Sequence, residues 1–129
     1  MKLLDLFSGA GSVGSAFAGR GWEIVSIDSD PKTKALIHKN ILTWNYKVVP
    51  SDHFDAVWAS PCCTYYSPAR RGAKTPRNLE LADSLICKSL EIIDYFQPKA
   101  WFIENPAKGL LKDRPFMQGL AFADVDYRC

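Results

Sequence analysis

Short apolar runs alternate with amphipathic stretches along the chain, with no internal repeat and no low-complexity tract. Residues 2–7, apolar apart from Lys2 and Asp5, read as a buried strand, and residues 11–20 as a helix that ends at Gly21. Residues 22–27 form a second strand closed by Asp28-Ser29-Asp30-Pro31, where Asp30 is placed to cap a helix having Pro31 at its first position and running to about Asn40. A third apolar run over residues 54–59 is stopped by Ser60-Pro61. Beyond a polar loop, Leu79, Ala82, Leu85, Ile86, Leu90, Ile93 and Phe96 recur at intervals of three and four, with occasional neighbours, as the stripe of a helix facing a core does. Pro98 stops that helix, and residues 100–104 read as another buried strand ending at Asn105-Pro106.

Strands alternating with helices predict an α/β fold with a mostly parallel, Rossmann-like sheet, right-handed crossovers and helices on both faces. With 129 residues, 47% of them hydrophobic, the chain can bury one core, and residues 1–129 are expected to form a single domain. In such sheets ligands sit outside the carboxyl ends of the strands. Phe7 leads into a glycine loop, Ala59 into a cysteine loop and Ile103 into Glu104, so separate stretches of sequence are expected to converge on one sheet edge.

Composition narrows the setting. A net charge of +2 is too small to announce a nucleic-acid partner, because the whole-chain sum hides how charges are distributed. The cysteines at 62, 63, 87 and 129 have no CxxC spacing and two are adjacent, which suits neither a disulfide framework nor a zinc site. A reducing, cytoplasmic environment and no bound metal are expected. No apolar stretch approaches the ~20 residues that span a bilayer, and Met1-Lys2-Leu3-Leu4-Asp5 lacks a signal-peptide core.

Gly9-Ala10-Gly11-Ser12-Val13-Gly14 fits GxGxxG between a strand and a helix, with Asp28 at the end of the next strand to accept ribose hydroxyls. The glycines leave the identity of the nucleotide-like cofactor open, a dinucleotide included. In the cysteine loop a thiol on a sheet's carboxyl edge is placed for nucleophilic attack. Packing is the competing reading of Cys62 and Cys63, since free cysteine is among the most buried residue types.

With these segments together, the chain resembles the cytosine-5 DNA methyltransferase family from Asp5 to about Leu111, and most closely small methyltransferase-like proteins found in phages. Asp5-Leu6-Phe7-Ser8-Gly9-Ala10-Gly11 matches the family's DLFSGAGG-type loop, and Glu104-Asn105-Pro106 its ENV-type tripeptide. Phe54-Asp55-Ala56-Val57-Trp58-Ala59-Ser60-Pro61-Cys62-Cys63-Thr64-Tyr65-Tyr66-Ser67 matches its proline-cysteine loop. Both flanks of that loop put the catalytic cysteine at Cys63, with Cys62 where the family commonly has a second proline. A register in which cysteine directly follows proline selects Cys62 instead.

The resemblance implies an S-adenosylmethionine-dependent methyltransferase domain that methylates C5 of cytosine in double-stranded DNA through a covalent cysteine adduct. It implies Cys63 as nucleophile, Glu104 as the acid at cytosine N3, and Asn105 as a loop-orienting group. A dry site walled by Trp101, Phe102 and Ile103 would raise the pKa of Glu104 and so favour its proton. The cofactor would be held by Asp5, Phe7, Ser8, Gly9, Gly11, Asp28 and Ser60. Thr43-Trp44 would border the adenine, although the family usually has an aspartate just before this stretch and this chain has Asn40. A target base must be flipped from the duplex, and Arg70, Arg71, Lys74 and Arg77 read as phosphate contacts.

Family members normally continue into an arginine-bearing strand, a target-recognition region and a terminal segment, and these would begin where this chain reads Asp124-Val125-Asp126-Tyr127-Arg128-Cys129. The chain is therefore expected to be a truncated product, one subunit of a split enzyme, or a non-catalytic homologue that binds cofactor or DNA. An incomplete sheet edge would call for a partner chain or self-association. RNA stays open as a substrate, because one branch of the family methylates tRNA. The cytoplasm of a bacterium or a phage-infected host is the expected location.

Overall fold

The computed structural model describes residues 1–106 and 108–120, so the stretch 124–129 lies outside the described residues. Its elements run β1 (Lys2–Leu6), α1 (Ser12–Ala18), β2 (Glu23–Asp28), β3 (Ile37–His38), β4 (Ala56–Ala59), α2 (Leu79–Phe96) and β5 (Ala100–Ile103). The strands form one sheet in the order β3-β2-β1-β4-β5, with every pair parallel. This is the expected α/β, Rossmann-like methyltransferase arrangement. The chain moves outward from β1 to β3 and then returns to place β4 on the other side of β1. The crevice at that reversal lies between the carboxyl ends of β1 and β4.

The sheet has two differently built faces. Leu4 and Leu6 of β1, Ile27 of β2, and Val57 and Ala59 of β4 share one face and pack with Ile92, Ile93 and Phe96 of α2. Phe54 meets Phe96 edge-on at 4.9 Å, a geometry worth about 0.5–1.5 kcal/mol beyond the area it buries. On the opposite face Asp5 and Ile24 lie beneath α1. A Cβ at Gly14 would stand 3.1 Å from Ile24 Cγ2 and 3.4 Å from Asp5 Oδ2, so glycine lets this helix sit close on the strands.

Helix α2 bears out its sequence stripe. Asn78 caps it by accepting the Leu81 amide at 3.0 Å, and Gln97 ends it in the left-handed region. Its first half supplies Ala82 and Ile86 to a second cluster with Tyr66, Leu111 and Met117, and its last turns serve the sheet. Buried Ser89, off the stripe, donates its hydroxyl to the Leu85 carbonyl at 2.8 Å.

Two expectations are corrected. No helix follows Pro31. Asp28 Oδ1 accepts the Asp30 amide and Asp30 Oδ1 the Lys32 amide, both at 2.9 Å, so local turns capture the backbone groups that a helix would use. The chain then extends into β3, with Ile27 opposite Ile37 and Asp28 opposite His38. The strand at 100–103 is also not buried. Among the described residues it is the sheet's edge, and Trp101 and Phe102 are 37% and 48% exposed.

Candidate active site at the carboxyl edge of the sheet

The loop after β1 turns sharply. Phe7 adopts φ 61°, a conformation that costs a non-glycine residue about 1–3 kcal/mol and clusters at functional sites. Four bonds hold the turn: Ser8 N–H to the Ile27 carbonyl at 3.1 Å, Gly9 N–H to Asp28 Oδ2 at 2.8 Å, Gly11 N–H to the Ser8 carbonyl at 2.8 Å, and Ser15 N–H to the Gly11 carbonyl at 2.9 Å. Asp28 therefore organises the loop before it meets any ligand. Each of its oxygens accepts one backbone N–H and keeps a lone pair. Ser8 Oγ is buried without a hydrogen-bond partner among the described residues.

Asp5 lies beneath this loop, 1% exposed, with Oδ2 likewise unpartnered. Burial pushes its carboxyl up to about 6; the Gly14 backbone opposes that and the charge of Asp28 adds to it. Its carboxylate is thus set inside the fold, close under the first turn of α1, rather than on the open surface of the loop.

The loop after β4 starts against the first one. Ser60 N–H donates to the Leu6 carbonyl at 3.2 Å, while Ser60 Oγ accepts the Trp58 indole N–H at 2.8 Å. Pro61 is buried, and Cys62 and Cys63 are both exposed as free thiols. The packing reading of these cysteines is thereby excluded. Cys62 Sγ lies 3.1 Å from Thr64 Oγ1. The Cys63 carbonyl accepts both the Tyr66 amide at 3.1 Å and the Ser67 amide at 2.9 Å, closing a tight turn behind the thiol.

The end of β5 comes alongside. Glu104 N–H donates to the Ala59 carbonyl at 2.9 Å, and Asn105 Nδ2 reaches the Pro61 carbonyl at 3.4 Å. Asn105 Oδ1 is buried and unpartnered among the described residues. The dry surroundings expected for Glu104 are absent: its side chain is exposed and its neighbours Trp101 and Phe102 stand on an open edge. Burial at a strand end depends on what covers the strand, and on β5 only Ile103 is packed against the hydrophobic clusters while Trp101 and Phe102 stay open.

The basic loop divides into two kinds of residue. Arg70 stacks over the Tyr65 ring at 4.9 Å and donates to Thr75 Oγ1 at 2.5 Å and to the Pro76 carbonyl at 3.3 Å. Arg77 donates to the Tyr65 carbonyl at 2.5 Å. Arg71 and Lys74 are exposed and make no ion pair among the described residues. After β3, Asn40 Oδ1 accepts the Leu42 amide at 2.9 Å and its carbonyl accepts that of Thr43 at 3.0 Å, shaping the turn that leads to half-buried Trp44.

Sequence reasoning passed over Asp83 and Arg114. Arg114 donates to both oxygens of Asp83, and Asp83 Oδ1 also accepts the Tyr66 hydroxyl at 2.6 Å. Separations of 17 and 31 residues leave no local signature of such a cluster.

A parallel sheet of this order, with a glycine turn, a cysteine turn and an acid at adjacent strand ends, defines a Rossmann-like methyltransferase architecture. The profile of the C-5 cytosine-specific DNA methylase family matches residues 1–115, and the chain belongs to that family. It is 38% identical over 125 residues to the "Probable DNA (cytosine-5)-methyltransferase" of Frog virus 3 (isolate Goorha), covering 88% of this chain and 57% of that protein. Over 126 residues it is 34% identical to "Type II methyltransferase M.FnuDI" of Fusobacterium nucleatum, covering 88% of this chain and 34% of that protein. The chain thus spans a little over half of the length of the first relative and about a third of the second.

Proposed function

We propose that this chain is the cofactor- and cysteine-bearing catalytic domain of a DNA cytosine-5 methyltransferase. The observation that carries the reading is the joining of the glycine and cysteine loops at the strand reversal, through Ser60 N–H and the Leu6 carbonyl at 3.2 Å, with Glu104 tied to the end of the same β4 strand at 2.9 Å. A cofactor edge and a nucleophile edge that share strands are what transfer between two bound molecules requires.

The residues present fit S-adenosylmethionine. Asp28 keeps lone pairs for ribose hydroxyls, Ser8 Oγ is a buried polar atom awaiting a partner, and the backbone of Gly9 and Gly11 permits close approach beside Phe7. Bound there, S-adenosylmethionine supplies an electrophilic methyl group. The Cys63 thiolate adds to C6 of a cytosine, and Glu104 holds a proton at N3 so that electron density moves to C5. With the methyl group placed on C5 and S-adenosylhomocysteine released, loss of the C5 proton to a base would let the Cys63 sulfur leave as the ring double bond re-forms. A flipped cytosine seated over Glu104 would displace the water that now reaches it, supplying through substrate the desolvation that the open edge lacks. Asn105 orients the cysteine loop through the Pro61 carbonyl, and Arg71 and Lys74 meet the flanking phosphates.

Covalent trapping tests this directly. DNA carrying 5-fluorocytosine, with S-adenosylmethionine present, is expected to form a stable adduct that maps to Cys63 and is lost in Cys63→Ser. An adduct on Cys62 would reassign the nucleophile, and absence of any adduct would sink the catalytic reading.

A further inference from the structure

Tyr66 is 1% exposed although Cys62 and Cys63, just before it, are exposed. Three bonds converge on it. Its amide donates to the Cys63 carbonyl at 3.1 Å, its carbonyl accepts the Leu110 amide at 3.1 Å, and its phenol donates to Asp83 Oδ1 at 2.6 Å. Arg114 closes on the same carboxylate from the segment after β5, through Nε to Oδ1 at 3.0 Å and through Nη2 to Oδ2. The ring is packed among Ala82, Ile86, Leu111 and Met117. A Cβ at Gly109 would stand 3.1 Å from the Tyr66 carbonyl oxygen and 2.9 Å from that of Pro106, so the turn after Asn105 fits against the cysteine loop only as glycine.

The bonds with Cys63, Leu110 and Asp83 all end on the residue whose amide closes the turn at Cys63. Burial, and then the hydrogen bond to Asp83, push the phenol's pKa far upward, so Tyr66 remains a donor throughout the neutral range. Asp83 in turn is the one acceptor that serves both the phenol and the guanidinium. Asparagine in its place removes the charge and leaves a single acceptor oxygen for both donors.

We propose that Asp83 is a positioning residue for the nucleophile: by joining Tyr66 of the cysteine loop to Arg114 beyond β5, it fixes the turn that presents Cys63. Its catalytic meaning rests on the methyl-transfer reading above. Its mechanical meaning does not.

The test uses the full chain as Asp83→Asn and as Tyr66→Phe, the latter keeping the buried ring and losing only the phenol. The hydrogen-bonded amides of Tyr66 and Ser67 are expected to exchange with solvent about tenfold faster or more in both variants, while those of β1 and β2 keep their rates. Alkylation of Cys63 by iodoacetamide, mapped by mass, should change with them. Adduct formation on 5-fluorocytosine DNA should slow about ten- to a hundredfold with S-adenosylmethionine affinity unchanged, the signature of lost positioning. Exchange at Tyr66 and Ser67 within about twofold of the unaltered chain would overturn the proposal. So would acceleration spread equally over β1 and β2, because Asp83 would then only stabilise the whole fold. If the unaltered chain forms no adduct, the methyl-transfer reading fails, while exchange and alkylation still decide whether Asp83 holds the loop.

Discussion

Residues 7–11 and residues 60–67 leave neighbouring strands at the same edge, and the first loop is held by its own surroundings. Its anchors are the Ile27 carbonyl and Asp28 at the end of the next strand, and its supporting acid Asp5 lies on the strand it grows from. The cysteine loop takes its anchors from Leu6, Asp83, Leu110 and Asn105, reaching from β1 to the turn beyond β5. One loop is a property of a β-α-β unit. The other exists only after the whole sheet and α2 have assembled. A binding loop preformed by local bonds and a nucleophile loop set by distant ones can be perturbed separately, and that separability is open to attack.

The largest separate effect belongs to Asp5, beneath the glycine loop. Its folded pKa of about 6 stands above the ordinary 3.8. The folded state therefore binds the proton more tightly than the unfolded chain does. The stability this confers is full below about pH 4 and is lost as pH rises through about 6, by ~3 kcal/mol at most. Denaturation of the unaltered chain between pH 4 and 8 should show that decline, and Asp5→Asn should lack it. Equal slopes in the two chains would mean that the proton is not held at Asp5. Cys63 alkylation should be unaffected by Asp5→Asn, because none of the cysteine loop's anchors is Asp5.

Next in size is Asp28→Ala. It removes the acceptor of the Gly9 amide together with the proposed partner of the ribose hydroxyls, so S-adenosylmethionine affinity is expected to fall about tenfold or more, or ~1.4 kcal/mol, by calorimetric titration. NAD, titrated alongside, should not bind. An affinity unchanged by the substitution, or NAD bound as well as the methyl donor, would contradict the assignment of this loop. Hydrogen exchange at Tyr66 and Ser67 should remain as in the unaltered chain, which is the converse of the outcome expected for Asp83→Asn.

The same contrast explains what the sequence revealed. The strands, the α2 stripe and the glycine turn are local patterns, and residues such as Ala82, Ile86 and Phe96 mark their burial by spacing alone. The stretch 31–40 misled because Asp30-Pro31 is a helix-start signal whose backbone donors went instead to Asp28 and Asp30 in turns. Glu104 and the β5 aromatics misled because apolar letters do not say which strand is an edge. Asp83 and Arg114 gave no signal, since an isolated charge on a helix reads as a solvated face until the fold supplies its partner.

The smallest effect, and the finest division, lies in the basic loop. Four cations sit close in sequence, yet Arg70 and Arg77 spend their donors on Thr75, Pro76 and Tyr65, whereas Arg71 and Lys74 are exposed. Phosphate contacts contribute to the salt dependence of DNA binding by counterion release, about one unit of log-log slope for each lost contact. Arg71→Ala with Lys74→Ala should therefore flatten that slope by up to about two units and weaken binding evenly across DNA sequences. Arg70→Ala should leave the slope nearly unchanged and instead loosen the Tyr65 side of the cysteine loop, visible as faster exchange at residues 64–67. If Arg70→Ala flattens the slope as strongly as the double variant, Arg70 releases its intraloop bonds to meet DNA. The cysteine loop would then be rearranged by its own substrate, and the sharp line between a preformed loop and an assembled one would have to be redrawn around DNA binding.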